Sequence, residues 1–151
     1  MISCHPIFKI NTIEDLQTLS RQVKWQYFEK LVGWIFEQND FKVRVNFVSK
    51  NQQSGEGCQK TCSHQKHQYD VLAEKFNKIF IVDCKKWAGK RYKSTQLKYA
   101  VEKHLERCSL IDSEKEKIPL IVTLMDEDIQ EHKGVPIVPV DKLNTFLNIP
   151  E

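Results

Sequence analysis

The sequence contains no apolar run that approaches the roughly 18 residues needed to cross a bilayer as a helix. Its N-terminus, MISCHPIFKINTIEDLQ, lacks a basic segment followed by a long apolar one, so no secretory signal is expected. The five cysteines (Cys4, Cys58, Cys62, Cys84 and Cys108) are odd in number and irregularly spaced, which makes a poor disulfide framework. These absences predict a cytoplasmic protein in a reducing compartment, with no membrane partner.

The 151 residues are 40% apolar and 28% charged, a composition that suits one globular domain with a sizeable core. We expect a single domain over residues 1–151, with an N-terminal extension at 1–20 and a flexible polar loop at 49–67. The net charge of +3 is small, but six basic residues face a single acid between Asp83 and Lys98. This concentration favours a polyanionic partner, although a solvated lysine-rich loop would have the same composition.

Hydrophobic periodicity predicts helices and strands in an alternating order. The expected elements are a helix at Arg21–Gln38, a strand at Phe41–Val48, a hairpin of Gln68–Glu74 and Ile79–Lys85, a helix at Ser94–Leu110, strands at Ile118–Leu124 and Val135–Val138, and a closing helix at Asp141–Leu147. The core order is α-β-β-β-α-β, which indicates an α/β domain with a central mixed sheet flanked by helices.

Two carboxylates meet in the predicted hairpin. A turn centred between Phe76 and Asn77 places Asp70 directly opposite Asp83, where like charges destabilise a strand pair. Either one carboxyl group keeps a proton through a raised pKa, or a cation lies between the two. Mg²⁺ (or Mn²⁺) suits such oxygen ligands, and Lys85 shares a strand face with Asp83.

Glu29 lies at the edge of the apolar stripe of the first helix, where a charged group needs a partner. A glutamate whose side chain extends outward to solvent, or pairs with a nearby lysine, is the simpler alternative.

At these residues the sequence resembles the PD-(D/E)xK nuclease superfamily: Asp70 is followed by an apolar strand that ends in Asp83-Cys84-Lys85. The segments YDVLA, IFIVDCKKW and GVPIVPVDKLNTFL are most similar to Mrr-type restriction endonucleases and to archaeal relatives of the Holliday-junction resolvases. The resemblance extends from about Arg21 to Leu147 and implies a restriction-endonuclease-like core. Two departures are Tyr69, where the family often has proline or a small apolar residue, and Asp83, where glutamate is commoner.

The resemblance also implies the roles of the site residues. Asp70 and Asp83 would bind a divalent metal ion with support from Glu29, and Lys85 would assist the attacking water. Gln96 matches a glutamine that many of these nucleases carry near the site, although it could equally be a solvated residue at the start of a helix.

The basic segment then has a function on DNA. Phosphate contacts from Lys86, Lys90, Arg91 and Lys93 would position the protein without reading sequence. Two active sites are useful for cutting two strands, so the family analogy implies a homodimer.

A Cys/His cluster (Cys58, Cys62, His64 and His67) offers four ligands that a structural Zn²⁺ could use. The run is short and continuous, whereas such sites usually join two separated ligand pairs, so we prefer a flexible loop without zinc. A disulfide between Cys58 and Cys62 is disfavoured in a reducing cell. Cys84 and Cys108 are expected to be buried small hydrophobes.

The leading hypothesis is therefore an Mg²⁺-dependent deoxyribonuclease of the restriction-endonuclease type. The alternatives are a catalytically silent nuclease fold that binds nucleic acid or a partner, and a zinc-stabilised interaction module.

Overall fold

The computed structural model of the chain describes residues 25–50, 66–85, 94–124 and 126–149. Several sequence predictions lie outside these residues: the N-terminal extension, most of the 49–67 loop with Cys58, Cys62 and His64, and the basic segment with Lys86, Lys90, Arg91 and Lys93. Among the described residues, no helix is long and apolar enough to cross a membrane.

The described elements follow the predicted order. They are α1 (Trp25–Gln38), β1 (Lys42–Lys50), β2 (Lys66–Lys75), β3 (Lys78–Lys85), α2 (Ser94–Ser109), β4 (Glu116–Thr123), β5 (Glu131–His132), β6 (Val135–Pro139) and α3 (Val140–Leu147). Strands β1 and β2 both continue into the segment predicted as a loop. The prediction missed β5 because two residues carry no readable period.

The six strands form one mixed sheet in the order β1-β2-β3-β4-β6-β5. β2 pairs antiparallel with β1 and β3, whereas β4 pairs parallel with β3 and β6. The parallel crossover from β3 to β4 carries α2, as a crossover helix normally does. This topology puts the C-terminal end of β3 next to the N-terminal end of α2.

The hairpin register is the one predicted. Val71 pairs with Val82 and Lys75 with Lys78, so the next position along the ladder places Asp70 across from Asp83. The turn contains Phe76 in the left-handed region with φ 52°, and its ring is exposed. A bulky residue in the left-handed region is unusual, and this turn lacks the Asn-Gly pair that commonly marks a two-residue hairpin turn.

Alternation along β3 separates the two faces of the sheet. Val82 packs in a cluster with α1 and α3, whereas Ile79 and Ile81 pack on the α2 side with Tyr69 and Cys108. On the first face, α1 approaches β1 so closely that a Cβ on Gly33 would lie 3.0 Å from a Val45 methyl carbon. This close approach places Glu29, one turn before Gly33, against the strands.

Candidate active site

Asp70 lies where β2 departs from regular pairing with both of its neighbours. The β2–β3 ladder reaches Val71–Val82, and the β1–β2 ladder passes from Val45–Val71 to Phe47–Tyr69 without bonding the intervening pair within the described strands. The Asp70 carboxylate takes the place of a backbone acceptor, since its Oδ2 accepts a hydrogen bond of 2.8 Å from the Cys84 N–H. The side chain is thereby fixed between β2 and β3.

Asn46 causes the interruption on the β1 side. Its φ of 56° is left-handed, a conformation that asparagine adopts more readily than most residues. Its side-chain oxygen accepts a hydrogen bond of 3.3 Å from Gln68 Nε2, and its side chain also hydrogen-bonds Glu29. In the sequence Asn46 reads as one more polar position of an alternating strand, so the pattern gave no reason to select it.

Glu29 is buried, with only 1% of its surface exposed. Its carboxyl group hydrogen-bonds that of Asp70, and its Oε2 atom has no hydrogen-bond partner among the residues that the structure describes. The alternative of an outward-pointing or lysine-paired glutamate is therefore wrong for this side chain. Burying an ionised carboxylate without a counter-charge is costly, so the carboxyl group holds its proton or requires a cation.

The electrostatics of the acids follow from this burial. Desolvation, reinforced by the charge of Asp70 and the hydrogen bond with it, raises the pKa of Glu29 to about 8. Burial also raises the pKa of Asp70 to about 6, with a further increase from Asp83 and an opposing decrease from the Cys84 N–H. Both shifts favour a proton on the hydrogen-bonded pair of Glu29 and Asp70 when no metal ion is bound, whereas the sequence reasoning considered only Asp70 and Asp83.

Asp83 and Lys85 lie at the C-terminal end of β3, on the face of the sheet that carries α2. Asp83 is 8% exposed, and Lys85 Nζ lies 3.1 Å from its Oδ2. Both side chains line a groove that also contains Gln96, which is exposed in the first turn of α2. The structure thus brings together Glu29, Asp70 and Asp83, and places Lys85 and Gln96 beside them.

The donor set suits a hard divalent cation. The groups are carboxylate oxygens, and Glu29 contributes one buried oxygen that no described group satisfies. Across the described ranges, no group of three or more His, Cys, Asp or Glu side chains is arranged so that it could hold a metal ion by itself. Mg²⁺ commonly takes one or two carboxylates and completes its shell with waters and substrate phosphates, so the acid pair fits that mode of binding.

Three other residues discussed in the sequence analysis, His67, Cys84 and Cys108, are also described by the structure. His67 is described and lies in β2 opposite Ser49. Cys84 packs against the core on the α1 side, and Cys108 is buried against His104, with Sγ 3.6 Å from Nε2. Burial raises the pKa of the Cys108 thiol to about 12, so the prediction of a buried small hydrophobic residue is confirmed for Cys108, whereas Cys84 is only partly buried.

Comparison with known proteins gives one relative in sequence and several in structure. No protein-family model matches the chain. An uncharacterised protein of Archaeoglobus fulgidus is 33% identical over 127 residues, which cover 83% of this chain and 90% of that protein.

Three solved structures resemble the fold. The small subunit (R.BspD6I2) of the heterodimeric restriction endonuclease R.BspD6I matches with a TM-score of 0.56 and 14% identity, over 91% of this chain and 76% of that chain. AF1548, a protein of unknown function, matches with a TM-score of 0.51 and 17% identity over 77% of this chain. VC1899 from Vibrio cholerae matches with a TM-score of 0.52 and 15% identity over 81% of this chain.

This chain spans 58% of AF1548 and 32% of VC1899. At these identities the likenesses establish the fold alone, and the predicted α/β fold with a restriction-endonuclease-like core is confirmed.

Proposed function

We propose that this chain, which belongs to the same protein family as the uncharacterised Archaeoglobus fulgidus protein, is a metal-dependent nuclease that hydrolyses phosphodiester bonds in DNA. The observation that carries the proposal is the convergence of three acids and a lysine where β2 and β3 separate. Buried carboxyl groups with raised pKa values at the end of a strand pair are costly for stability, and such groups cluster at functional sites.

Asp70 and Asp83 would hold Mg²⁺ (or Mn²⁺), and Glu29 would support this pair through its hydrogen bond to Asp70. A bound metal ion would supply charge to polarise the phosphodiester and to lower the pKa of a water molecule. To present both carboxylates, Glu29 and Asp70 have to release the proton that they share.

Lys85 contributes the positive charge on the open side of the site. Its ammonium lies 3.1 Å from Asp83 and lines the groove, where it can orient a water molecule or stabilise charge that develops on a phosphate. Gln96, on the opposite wall of that groove, offers an amide that can hydrogen-bond the same phosphate or water.

The assignment to a particular type of nuclease that acts on DNA rests on the resemblance to known nucleases. The D…DxK arrangement and the segments around it resemble Mrr-type members of the PD-(D/E)xK superfamily, and a structural neighbour is a restriction endonuclease subunit. DNA as the substrate, phosphate binding by Lys86, Lys90, Arg91 and Lys93, and a homodimer are proposals on the same basis.

Cleavage assays test the proposed function directly. Circular single-stranded, linear duplex and branched DNA are incubated with Mg²⁺, with Mn²⁺ and with EDTA, and the Lys85→Ala variant is run beside the native protein. Lys115→Ala is the matched control, because Lys115 also pairs with a carboxylate, Glu74, at 3.2 Å but lies outside the site.

We expect cutting that requires the metal ion, disappears in Lys85→Ala and persists in Lys115→Ala. Cutting that survives EDTA or the Lys85 substitution would contradict the proposal. DNA binding without cutting in any condition would favour the catalytically silent binding module instead.

A further inference from the structure

A groove of about 460 Å³ extends from Asp83 along the exposed side of α2. Asp83 and Lys85 lie at its β3 end, and Tyr99, Lys103 and Arg107 line the side formed by α2. The volume lies within the range of small-ligand sites, which is about 300–1,000 Å³. The groove is therefore large enough for part of a substrate and opens directly onto the proposed site of cutting.

The spacing along α2 produces a continuous strip of side chains. Gln96, Tyr99, Lys103 and Arg107 recur every three or four residues, so they lie on one face of the helix. Opposite that face, Leu97, Val101 and Cys108 are buried against the sheet. His104 fixes the position of α2 relative to β3, because its Nε2 lies 2.8 Å from the Ile81 carbonyl oxygen.

Tyr99 is the exposed aromatic residue of this strip. Its side chain is 63% exposed, and Lys103 Nζ lies 5.6 Å from the centroid of its ring. A large aromatic surface left in solvent has no role in the core. Held beside a lysine, it offers a flat face for stacking against another planar group.

Apart from Asp83, the charged side chains that line the groove are all positive. Lys85, Lys103 and Arg107 are basic, and the ion pair of Lys103 with Glu106 is a solvent-exposed contact of 3.5 Å. Exposed pairs of this kind are weak, so the ammonium remains available to a phosphate. A basic strip with an exposed aromatic is the arrangement that binds single-stranded nucleic acid, in which bases stack and phosphates follow the cations.

We propose that this groove binds an unpaired nucleotide next to the phosphate that is cut, with its base stacked on Tyr99 and its phosphates at Lys103 and Arg107. The substrate class is then DNA with a single-stranded or splayed segment at the site of cutting, because a base inside a duplex has no free face for Tyr99. The inference rests on the proposed nuclease function for the position of the cut, but the binding that it predicts can be measured without cleavage.

The test measures binding by fluorescence anisotropy in EDTA, where no metal-dependent cutting occurs. The probes are a dT oligonucleotide of about 12 nucleotides, within the usual site size of single-strand binders, and a blunt duplex of equal length. The variants are Tyr99→Ala and Tyr99→Phe. Tyr27→Ala is the matched control, because Tyr27 is also exposed and also has a lysine, Lys30, 5.4 Å from its ring, but lies on α1.

We expect Tyr99→Ala to weaken binding of the single strand by about 5- to 100-fold, as loss of stacking on one base does, with little effect on the duplex. Tyr99→Phe keeps the ring and should stay within about threefold of the native protein, and Tyr27→Ala should have no effect. The double variant Lys103→Gln, Arg107→Gln should weaken single-strand binding and reduce its dependence on salt.

Equal binding by Tyr99→Ala and Tyr27→Ala would overturn the inference, as would an equal loss for single strand and duplex. Cleavage separates this result from the fate of the proposed function. Binding that depends on Tyr99 without any cutting would support the binding groove and contradict the proposed nuclease function. Cutting by Tyr99→Ala with an unchanged preference between single-stranded and duplex DNA would support the nuclease function and contradict the binding groove.

Discussion

Replacing Glu29 with glutamine should make the metal-free protein more stable at pH 8. Glutamine has nearly the same size and shape, and its amide can still hydrogen-bond Asp70. It cannot ionise, and Glu29 is a carboxyl group whose pKa burial raises from 4.5 to about 8. The substitution therefore removes a group that the folded protein holds protonated and the unfolded chain ionises.

The sign follows from proton linkage. A carboxyl group whose pKa is higher in the folded state binds more protons there, so its contribution to stability is greatest below about pH 4.5 and declines as the pH rises toward 8. At about 1.36 kcal/mol for each pKa unit, the native protein loses roughly 4 kcal/mol of unfolding free energy over that window through Glu29. For a chain of this size, this corresponds to a change in Tm of roughly 8–16 °C.

The assay is urea unfolding followed by tryptophan fluorescence, in EDTA at pH 5 and pH 8. Glu37→Gln is the control, because Glu37 lies on the same helix but is exposed. We expect Glu29→Gln to differ little from the native protein at pH 5 and to exceed it clearly at pH 8, whereas Glu37→Gln follows the native protein at both. A Glu29→Gln variant that is less stable than the native protein at pH 8, or whose effect is the same at both pH values, would refute the reasoning.

Three further substitutions test the parts that position the site. Asn46→Gly should keep the left-handed backbone of β1, whereas Asn46→Ala should cost about 1 kcal/mol more in urea unfolding; equal stability would contradict the role of φ. Lys85→Ala leaves Asp83 without the cation 3.1 Å away and should lower unfolding free energy by about 1–3 kcal/mol, against about 0–1 kcal/mol for the more exposed Lys115→Ala; equal costs would contradict it. His104→Ala removes a buried side chain that joins α2 to β3 and should cost about 2–4 kcal/mol. Because burial lowers the pKa of His104, the native protein should lose stability as the pH falls below 6.5, and the difference from His104→Ala should shrink there; a constant difference would show that His104 is not buried in its neutral form.

Periodicity was enough to predict the framework of the site. The α1 stripe that contains Phe28, Val32 and Phe36 is buried as its spacing predicted, and the hairpin register that opposes Asp70 to Asp83 is the observed one. Both results depend on local rules, namely the helical repeat and the pairing of strands across a short turn.

The parts that the sequence did not predict depend on tertiary contacts or on single backbone angles. The family resemblance selected Glu29, but periodicity alone did not predict its burial, which depends on the packing of α1 on β1 at Gly33. Asn46 differs from its neighbours in β1 by one dihedral angle, which no alternation of polar and apolar residues records. Tyr99 looks like an ordinary surface residue of α2 until β3 supplies the second side of the groove.

The central claim is that Asp70 and Asp83 hold a divalent cation that enables phosphodiester cleavage. The most direct measurement is the rate of DNA cleavage as a function of Mn²⁺ concentration for the native protein and for Asp83→Asn, which keeps the shape of the side chain and removes its charge. The account predicts saturable, Mn²⁺-dependent cutting by the native protein and a loss of at least about 100-fold in Asp83→Asn, in the range found when an electrostatic catalytic group is removed. An Asp83→Asn variant that cuts at the native rate with the same Mn²⁺ dependence would contradict it.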